Sequence, residues 1–181
     1  MIELLRKRRS IRTYTGEPIS SQAQDLLIEA LLRSPSSRNI NPWEFVVVDD
    51  RDLLAKLSLS KEHGSTFLKQ AALGIVICAD STKSDVWIED CSIASILVQT
   101  VAQSLDLGSC WIQIRKRRHD SLTTAEVYIR ELLGLPDHIV VQSIISIGHP
   151  AETRQPLAAD KLEYGKVRRN HYSSSNDTSH V

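Results

Sequence analysis

The sequence lacks the short motifs that mark three large enzyme classes. Its 181 residues contain no GxSxG, no GxxxxGK[ST] and no GxGxxG. These motifs belong to α/β hydrolases, P-loop NTPases and Rossmann dinucleotide-binding domains respectively. Their absence argues against a function in any of the three classes.

Cysteine and histidine are scarce, and neither forms a recognisable pattern. Cys78, Cys91 and Cys110 each lie in an apolar run, and no two form a CxxC pair. An odd cysteine count with no signal-peptide pattern before it predicts a reducing cytoplasm. A cysteine inside an apolar strand is expected to be inert packing rather than a nucleophile. The six histidines show no ligand spacing, so we expect no metal site.

The sequence also lacks an excess of charge and a long hydrophobic run. Lys+Arg and Asp+Glu both number 22, so a field that would gather nucleic acid or membrane is not expected. The longest apolar region, residues 91–105, includes several polar side chains and is too short to span a bilayer. Aromatic residues make up only 5 % of the chain, which argues against an RNA-binding surface. We expect neither a nucleic-acid partner nor a membrane partner.

The pattern of apolar residues indicates one α+β domain. Runs rich in β-branched residues predict strands at residues 43–49, 72–80, 108–114 and 139–150. Periodic patterns predict helices at residues 2–7, 20–33, 50–59, 85–106 and 121–134. The domain is expected to cover residues 1–170, followed by a polar, mobile tail at 171–181.

The predicted helix at 85–106 has an unusual composition. It carries no charged residue between Asp90 and Asp106. A helix that is apolar or small on nearly every face is not stable on a surface. We therefore expect it to run through the core or through the middle of an oligomer.

Two basic segments lie near opposite ends of the chain. The N-terminal basic segment, RKRRSIRTY at residues 6–14, mixes hydroxyl side chains with arginines. Arginine forks match phosphate oxygens in pairs, and a hydroxyl can fill a third direction. In the C-terminal basic segment, GKVRR at 165–169, Gly165 would allow close approach, and Lys166 and Arg168 would share one side of an extended chain. Both segments could bind one phosphate, or each could simply be solvated.

A polar loop precedes the first predicted strand. SPSSRNINP, residues 34–42, is rich in turn-forming residues. Its serine and asparagine side chains supply the donors and acceptors that could recognise the edge of a heteroaromatic ring. The alternative is an Asx or serine turn that only joins a helix to a strand.

Six segments, taken in order, resemble the nitroreductase family of flavoproteins: RRSIRTY, SPSSRNINPWEFVVV, LGSCWIQI, ELLGLP, ISIGHPAE and GKVRR. The resemblance spans residues 3–169. It implies a central mixed or antiparallel sheet packed by helices, a long buried central helix, and a homodimer that holds FMN at its interface. It also implies that NADH or NADPH reduces the FMN, and that a small-molecule acceptor such as a nitroaromatic or quinone then takes the electrons, by ping-pong turnover.

The resemblance also assigns residues to the cofactor site. Those expected to hold the FMN phosphate and ribityl chain are Arg8, Arg9, Ser10, Lys166 and Arg168. Arg12 is expected near the pyrimidine side of the ring. Those expected to arrive from the second subunit are Pro35, Ser36, Ser37 and Asn39, with Asn41 at the position of a ring-edge contact. The backbone at the strand end formed by Trp111, Ile112 and Gln113 is expected to lie against the flavin. No catalytic side chain is expected, because the flavin carries the chemistry.

The chain departs from the family pattern at two places. Asn41 stands where members usually carry glutamine, which is one methylene longer. Gln113 and residues 115–118 replace a glycine-rich turn, which predicts a more polar mouth. The run RKRRH at 115–119 is either a solvated strand exit or a site where Arg115 and Arg117 share a face and hold an acidic group. The functional alternatives are a flavin-dependent dehalogenase or oxidase on this fold, and a non-catalytic flavin-binding module.

Overall fold

A computed structural model describes residues 1–172 of the chain. Within that range the helices are α1 (Ile2–Lys7), α2 (Ser21–Leu32), α3 (Arg51–Leu57), α4 (Trp87–Ser104) and α5 (Ala125–Leu133). The strands are β1 (Trp43–Val48), β2 (Leu73–Asp80), β3 (Gly108–Gln113) and β4 (Ile139–Gly148). The predicted α+β class is confirmed, and each predicted helix and strand has a counterpart.

The four strands form one antiparallel sheet with the order β1-β2-β4-β3. β2 is buried along its whole length, and β4 is buried at every residue except Val140, which is half-buried, as their continuous apolar sequences require. β1 and β3 are the two edges, so three strand spacings, or about 14 Å, separate them. This distance matters below, because predicted site residues belong to both edges.

Helices cover both faces of the sheet. Successive β2 residues alternate between the two core clusters, so that Ile75 and Ile77 face one layer while Val76 and Cys78 face the other. The first layer contains buried residues of α2 and α4, and the second contains buried residues of α3 and α5. This alternation follows from the two-residue period of a strand.

One face of α4 is not covered by this chain. Ala94, Val98 and Ala102 are fully buried against the sheet, whereas Ile93 is 39 % exposed and Ile96 is 41 % exposed. The helix therefore carries apolar residues on an exposed face as well as on the face that packs against the core. The described helices include none that is both long enough and apolar enough to cross a membrane.

The predicted start of α5 is wrong by four residues. Residues before it form a tight loop that is closed by a bridge between Arg118 and Thr124. The Asp120 carboxylate accepts hydrogen bonds from the backbone N–H groups of Leu122 and Thr123, both at 2.7 Å. Thr124 then caps the helix by accepting a hydrogen bond from the Val127 N–H at 3.2 Å. Side-chain bonds to the backbone thus favour a turn over one more helical turn.

The predicted boundary between domain and tail stays a prediction. Most of the tail, predicted at residues 171–181, lies outside the described residues. The domain predicted at 1–170 falls entirely within the described range.

Candidate cofactor site

The N-terminal basic segment lies along the outer edge of β3. Ser10 pairs in parallel with Ser109, and the Ile11 N–H donates to the Ser109 carbonyl at 3.0 Å. A Cβ atom at Gly108 would be only 2.8 Å from Cβ and Cγ2 of Ile11. The first residue of β3 must therefore be glycine for the segment to lie this close.

A second glycine, opposite the first in the sheet register, receives Tyr14. Gly148 pairs with Gly108, and a Cβ atom at Gly148 would be 2.9 Å from the Tyr14 ring. The Tyr14 hydroxyl donates to the Ile11 carbonyl at 2.7 Å and lies 2.8 Å from the Ser146 hydroxyl. Burial raises the pKa of Tyr14 well above its usual range, so the hydroxyl keeps its proton. The missing side chains of the two glycines thus leave the space in which Ile11 and Tyr14 of the segment pack.

A carboxylate fixes the backbone at Arg12. The Glu152 Oε1 atom accepts hydrogen bonds from the N–H groups of Arg12, at 2.6 Å, and Thr13, at 3.2 Å. The Arg12 guanidinium then lies 5.9 Å from the centre of the Phe67 ring, in cation–π geometry. Both contacts restrict where the charge of Arg12 can point.

The side chains of Arg8, Ser10, Arg12 and Lys61 lie near enough to the Cys110 thiol on β3 to affect its pKa. Burial raises the pKa of this thiol, while the charge of Arg12, a hydrogen bond with Ser10, and the charges of Arg8 and Lys61 act to lower it. Three of the four were predicted from the sequence, and the structure brings them together beside β3. Lys61 was missed because it lies in a polar loop without a distinguishing motif, and only the fold brings it close.

Arg9 has a different partner in this chain. Its guanidinium donates to the Gln155 carbonyl, and its side chain lines a hollow that also includes Asp106 and Glu152. Arg9 therefore joins the N-terminal basic segment to the chain that follows β4. Its assignment to the phosphate stays a prediction.

The side chains at the end of β3 already form hydrogen bonds or core contacts within this chain. The Trp111 indole N–H donates to the Gln113 carbonyl oxygen at 3.0 Å, and the Gln113 amide donates to the Arg115 carbonyl at 2.9 Å. Ile112 is buried in the core. No other strand of the described residues pairs along the outer side of β3, so backbone rather than side chains is available to a ligand here.

The C-terminal basic segment is not extended as predicted. Residues Tyr164–Lys166 form a 3₁₀ turn, so Lys166 and Arg168 do not alternate along a strand. Lys166 pairs with Glu163 at 2.6 Å, and Arg168 lies 5.3 Å from the Tyr172 ring centre. A Cβ atom at Gly165 would meet nothing within 4 Å. The contacts described for this segment are local, and its convergence with Arg8 stays a prediction.

The loop at residues 34–42 leads into β1, at the opposite edge of the sheet from β3. Its conformation is fixed by several contacts. The Ser36 hydroxyl donates to the Asn41 amide oxygen at 2.7 Å, and the Ser37 N–H donates to the buried Asp90 carboxylate at 2.8 Å. Asn39 and Asn41 have φ angles of 54° and 53°, a left-handed conformation that asparagine tolerates well. Pro35 and Asn39 are exposed. Within one chain, this loop and β3 lie at opposite edges of the sheet.

The predicted shared face of Arg115 and Arg117 is wrong. A turn follows β3 directly, closed by a hydrogen bond from the Arg117 N–H to the Ile114 carbonyl at 2.9 Å, and Lys116 has a φ of 60°. The turn sends the two arginines apart. Arg115 lies 5.9 Å from the Trp87 ring centre, whereas Arg117 lies near Lys61 and lowers its pKa.

Comparison with known proteins identifies the family. The model of the nitroreductase family matches residues 5–63 and 54–149. A protein of Archaeoglobus fulgidus with the provisional name NADH dehydrogenase/NAD(P)H nitroreductase is 36 % identical over 163 residues, which cover 88 % of this chain and 90 % of that protein.

Solved structures agree with the match to the family model. The structure of an FMN-dependent nitroreductase from Clostridium difficile R20291 is 46 % identical, with a TM-score of 0.93, and the match covers 95 % of this chain and 100 % of that one. A structure from Parabacteroides distasonis, provisionally named NADH dehydrogenase/NAD(P)H nitroreductase, is 31 % identical, with a TM-score of 0.85, covering 94 % and 98 %. These matches, over the same segments that build the site described above, show that the chain belongs to the nitroreductase family.

Proposed function

We propose that this chain is an FMN-dependent oxidoreductase that takes electrons from NADH or NADPH and passes them to a small-molecule acceptor such as a nitroaromatic or a quinone. The observation that carries the proposal is that the N-terminal basic segment, with Arg8, Ser10 and Arg12, lies against the outer edge of β3, where Ser10 pairs with Ser109 and Gly108 leaves room for Ile11. The relatives support it by name, since one is called an FMN-dependent nitroreductase and another an NAD(P)H nitroreductase.

The side chains at this edge fit the chemistry of FMN. A phosphate dianion requires several cationic or hydroxyl donors, and Arg8 and Ser10 offer them on a segment that two glycines seat against the sheet. Lys166 and Arg168 would add to this set from the C-terminal basic segment, together with Arg9. Beyond the pairing of Ser10 with Ser109, the outer side of β3 offers a backbone edge to a planar ring.

Bound FMN would accept a hydride equivalent from the nicotinamide and release electrons to the acceptor. Arg12 would hold positive charge beside the pyrimidine edge, where negative charge develops on reduction. Its position is fixed before binding by Glu152 and Phe67. No side chain needs to take part in covalent chemistry. Donor and acceptor would occupy one open face in turn, which gives ping-pong kinetics.

The proposal includes a homodimer in which residues 34–42 of one subunit complete the site of the other. The loop and β3 lie at opposite edges of the sheet, so Pro35, Ser36, Ser37 and Asn39 can reach an FMN at β3 only from a second copy. The exposed side of α4, with Ile93 and Ile96, is the apolar face that such a copy would cover.

The dimer is tested by placing a charge on that face. Ile96→Glu is expected to shift the protein to monomers and to release FMN, because a charge in an apolar interface is strongly unfavourable. Sedimentation and the flavin absorbance of the sedimenting species measure both effects. Leu122→Glu is the control, since Leu122 is 89 % exposed on the loop before α5. A wild-type monomer that carries FMN would contradict the proposal.

The activity is tested with the purified protein. We expect the visible spectrum of bound oxidised flavin, loss of that spectrum on adding NADH or NADPH without oxygen, and its return on adding a nitrofuran or a quinone. NADH oxidation no faster than with free FMN would indicate a non-catalytic flavin-binding module. Preferential reduction of a halophenol would indicate the dehalogenase alternative.

The proposal places the protein in a reducing cytoplasm. Its three cysteines are buried and free. Burial raises the pKa of both Cys78 and Cys91 to about 12, so these thiols stay protonated and unreactive. They support the interpretation that the cysteines serve as packing.

A further inference from the structure

A basic hollow lies just beyond the end of β3, and the proposed function does not use it. It is lined by Lys61, Glu62, His63, Lys116, Arg117 and Arg118. Two parts of the chain supply these residues, since the first three belong to the loop after α3 and the others to the turn after β3. A second hollow, lined also by Thr124 and Glu126, shares the same three residues of the turn.

The turn that carries the cations is held by its backbone. The Arg117 N–H donates to the Ile114 carbonyl at 2.9 Å, and the Ala125 N–H donates to the Arg117 carbonyl at 3.0 Å. The Arg118 guanidinium donates to the carbonyls of Asp120 and Ser121. Lys116, Arg117 and Arg118 are all exposed, and of these Arg118 has its guanidinium bonded to carbonyls of the loop.

The electrostatics of the hollow favour an anion. Burial and, after it, the nearby charge of Arg117 lower the pKa of Lys61, as expected for a half-buried ammonium group close to an exposed second cation. Of the carboxylates nearby, Glu126 pairs with Arg130 at 3.0 Å, and Asp120 lies near Arg118 and His119. The hollow itself is lined by one carboxylate, Glu62, and by four cations, Lys61, Lys116, Arg117 and Arg118. A dianion would relieve this repulsion more fully than a monoanion.

We propose that this basic hollow binds the 2′-phosphate of NADPH, so that the protein prefers NADPH to NADH as its electron donor. The inference rests on the proposed function, because it assigns the hollow to the donor of that reaction. Three residues of the hollow belong to the turn that directly follows the strand end where the flavin ring is expected, and Lys61 lies near enough to the Cys110 thiol of the cofactor site to affect its pKa. The phosphate of FMN is assigned to other residues, so this second group of cations remains for a second phosphate.

The test compares both donors in the FMN-loaded protein. Lys116→Gln and Arg117→Gln are each expected to lower kcat/KM for NADPH by roughly tenfold or more, because each removes a charge-assisted contact, and to change kcat/KM for NADH less than about twofold. Lys56→Gln on α3 and Arg33→Gln after α2 make the same charge changes on exposed positions outside the hollow and should affect neither donor. Arg117→Lys should keep most of the preference.

A binding measurement gives a readout that does not depend on turnover. In calorimetry, adenosine 2′,5′-bisphosphate should bind the wild-type protein more tightly than 5′-AMP, and Lys116→Gln should remove most of the difference. A wild type that prefers NADH, an equal loss for both donors, or unchanged kinetics would overturn the proposal. If neither donor reduces the flavin, the proposed function fails. The calorimetry then still decides whether the hollow selects a 2′-phosphate, and equal binding of the two nucleotides would overturn that assignment.

Discussion

The two basic segments of this protein have similar composition, yet they differ in how the structure holds them. The N-terminal basic segment (residues 6–14) pairs with β3, sits over two glycines and receives backbone contacts from Glu152. The C-terminal basic segment (residues 165–169) is exposed and bonded to its own neighbours. If the two segments bind one phosphate as proposed, the ligand would meet the N-terminal half of that site already formed and would have to order the C-terminal half.

This difference has an energetic consequence. Side chains that are already fixed lose little conformational entropy when a ligand binds, whereas free lysine and arginine side chains lose more. Lys166 must also leave Glu163 before it can contact a phosphate. Contacts of equal geometry should thus contribute unequally to FMN affinity, with the N-terminal basic segment contributing more.

The largest expected effect is that of Gly108→Ala. The new Cβ atom would meet Ile11 at 2.8 Å, so the N-terminal basic segment must move and its arginines with it. We expect FMN affinity to fall by about 100-fold or more, since at least two charge-assisted contacts are displaced, and the melting temperature of the apo-protein to fall as well. Titration with FMN and thermal unfolding measure the two effects.

Gly165→Ala is the matched control for that variant. A Cβ atom at this position meets nothing within 4 Å in the free chain, so the apo-protein should melt unchanged. A small loss of FMN affinity would show that the C-terminal basic segment closes around the ligand. A loss as large as that of Gly108→Ala would contradict the idea that only one segment is formed in advance.

Removing one fixed cation should have the next largest effect. Arg8→Ala is expected to weaken FMN binding by roughly 1.5–3 kcal/mol, because it removes a charge-assisted contact to the phosphate. Lys7→Ala on α1 is the control for a general loss of positive charge, and it should change the affinity little. Equal affinity of Arg8→Ala and wild type would remove the phosphate assignment.

The equivalent change in the exposed segment should be weaker. Lys166→Ala is expected to weaken FMN binding by about 0.5–1.5 kcal/mol, because Lys166 must leave its ion pair and become ordered before it can contact the phosphate. Glu163→Gln should tighten FMN binding slightly, because it frees Lys166 from its ion pair. The comparison of the two segments fails if Lys166→Ala weakens binding more than Arg8→Ala does.

Much of the site was predictable because its signals are local. Arginine and hydroxyl residues are adjacent in the N-terminal basic segment, and a strand end can be recognised from its own composition. The contribution of Lys61 was not predictable, because nothing in its loop distinguishes it. The roles of Gly108 and Gly148 depend on strand register, which the sequence does not reveal. The turn at Lys116 was missed because its positive φ occurs at a residue that rarely adopts one.

The C-terminal basic segment is a case in which a local sequence pattern predicted the wrong conformation. Its alternating cations suggested an extended chain, but no neighbouring strand of the described residues pairs with it. The local turn and the Lys166–Glu163 pair are then the contacts that remain. Alternating residue types predict a strand only where an adjacent strand or a buried face stabilises the extended conformation.

The smallest effect is expected from pH, and it tests how the N-terminal basic segment is held. The hydrogen bond from the Arg12 N–H is the main cause that lowers the pKa of Glu152 in the folded protein, and Arg154 and the Thr13 N–H lower it further. Because this pKa lies below its value of about 4.3 in an unfolded chain, the stabilisation is complete above that value and is lost as the pH falls through the folded pKa.

Glu152→Gln should therefore have a lower melting temperature than the wild type at pH 7, and the difference between the two melting temperatures should narrow on acidification. Asp80 and Asp120, whose pKa values are also lowered, are present in both proteins and cancel in the difference. A gap that stays constant from neutral to acid pH would mean that the Glu152 carboxylate does not hold the backbone at Arg12.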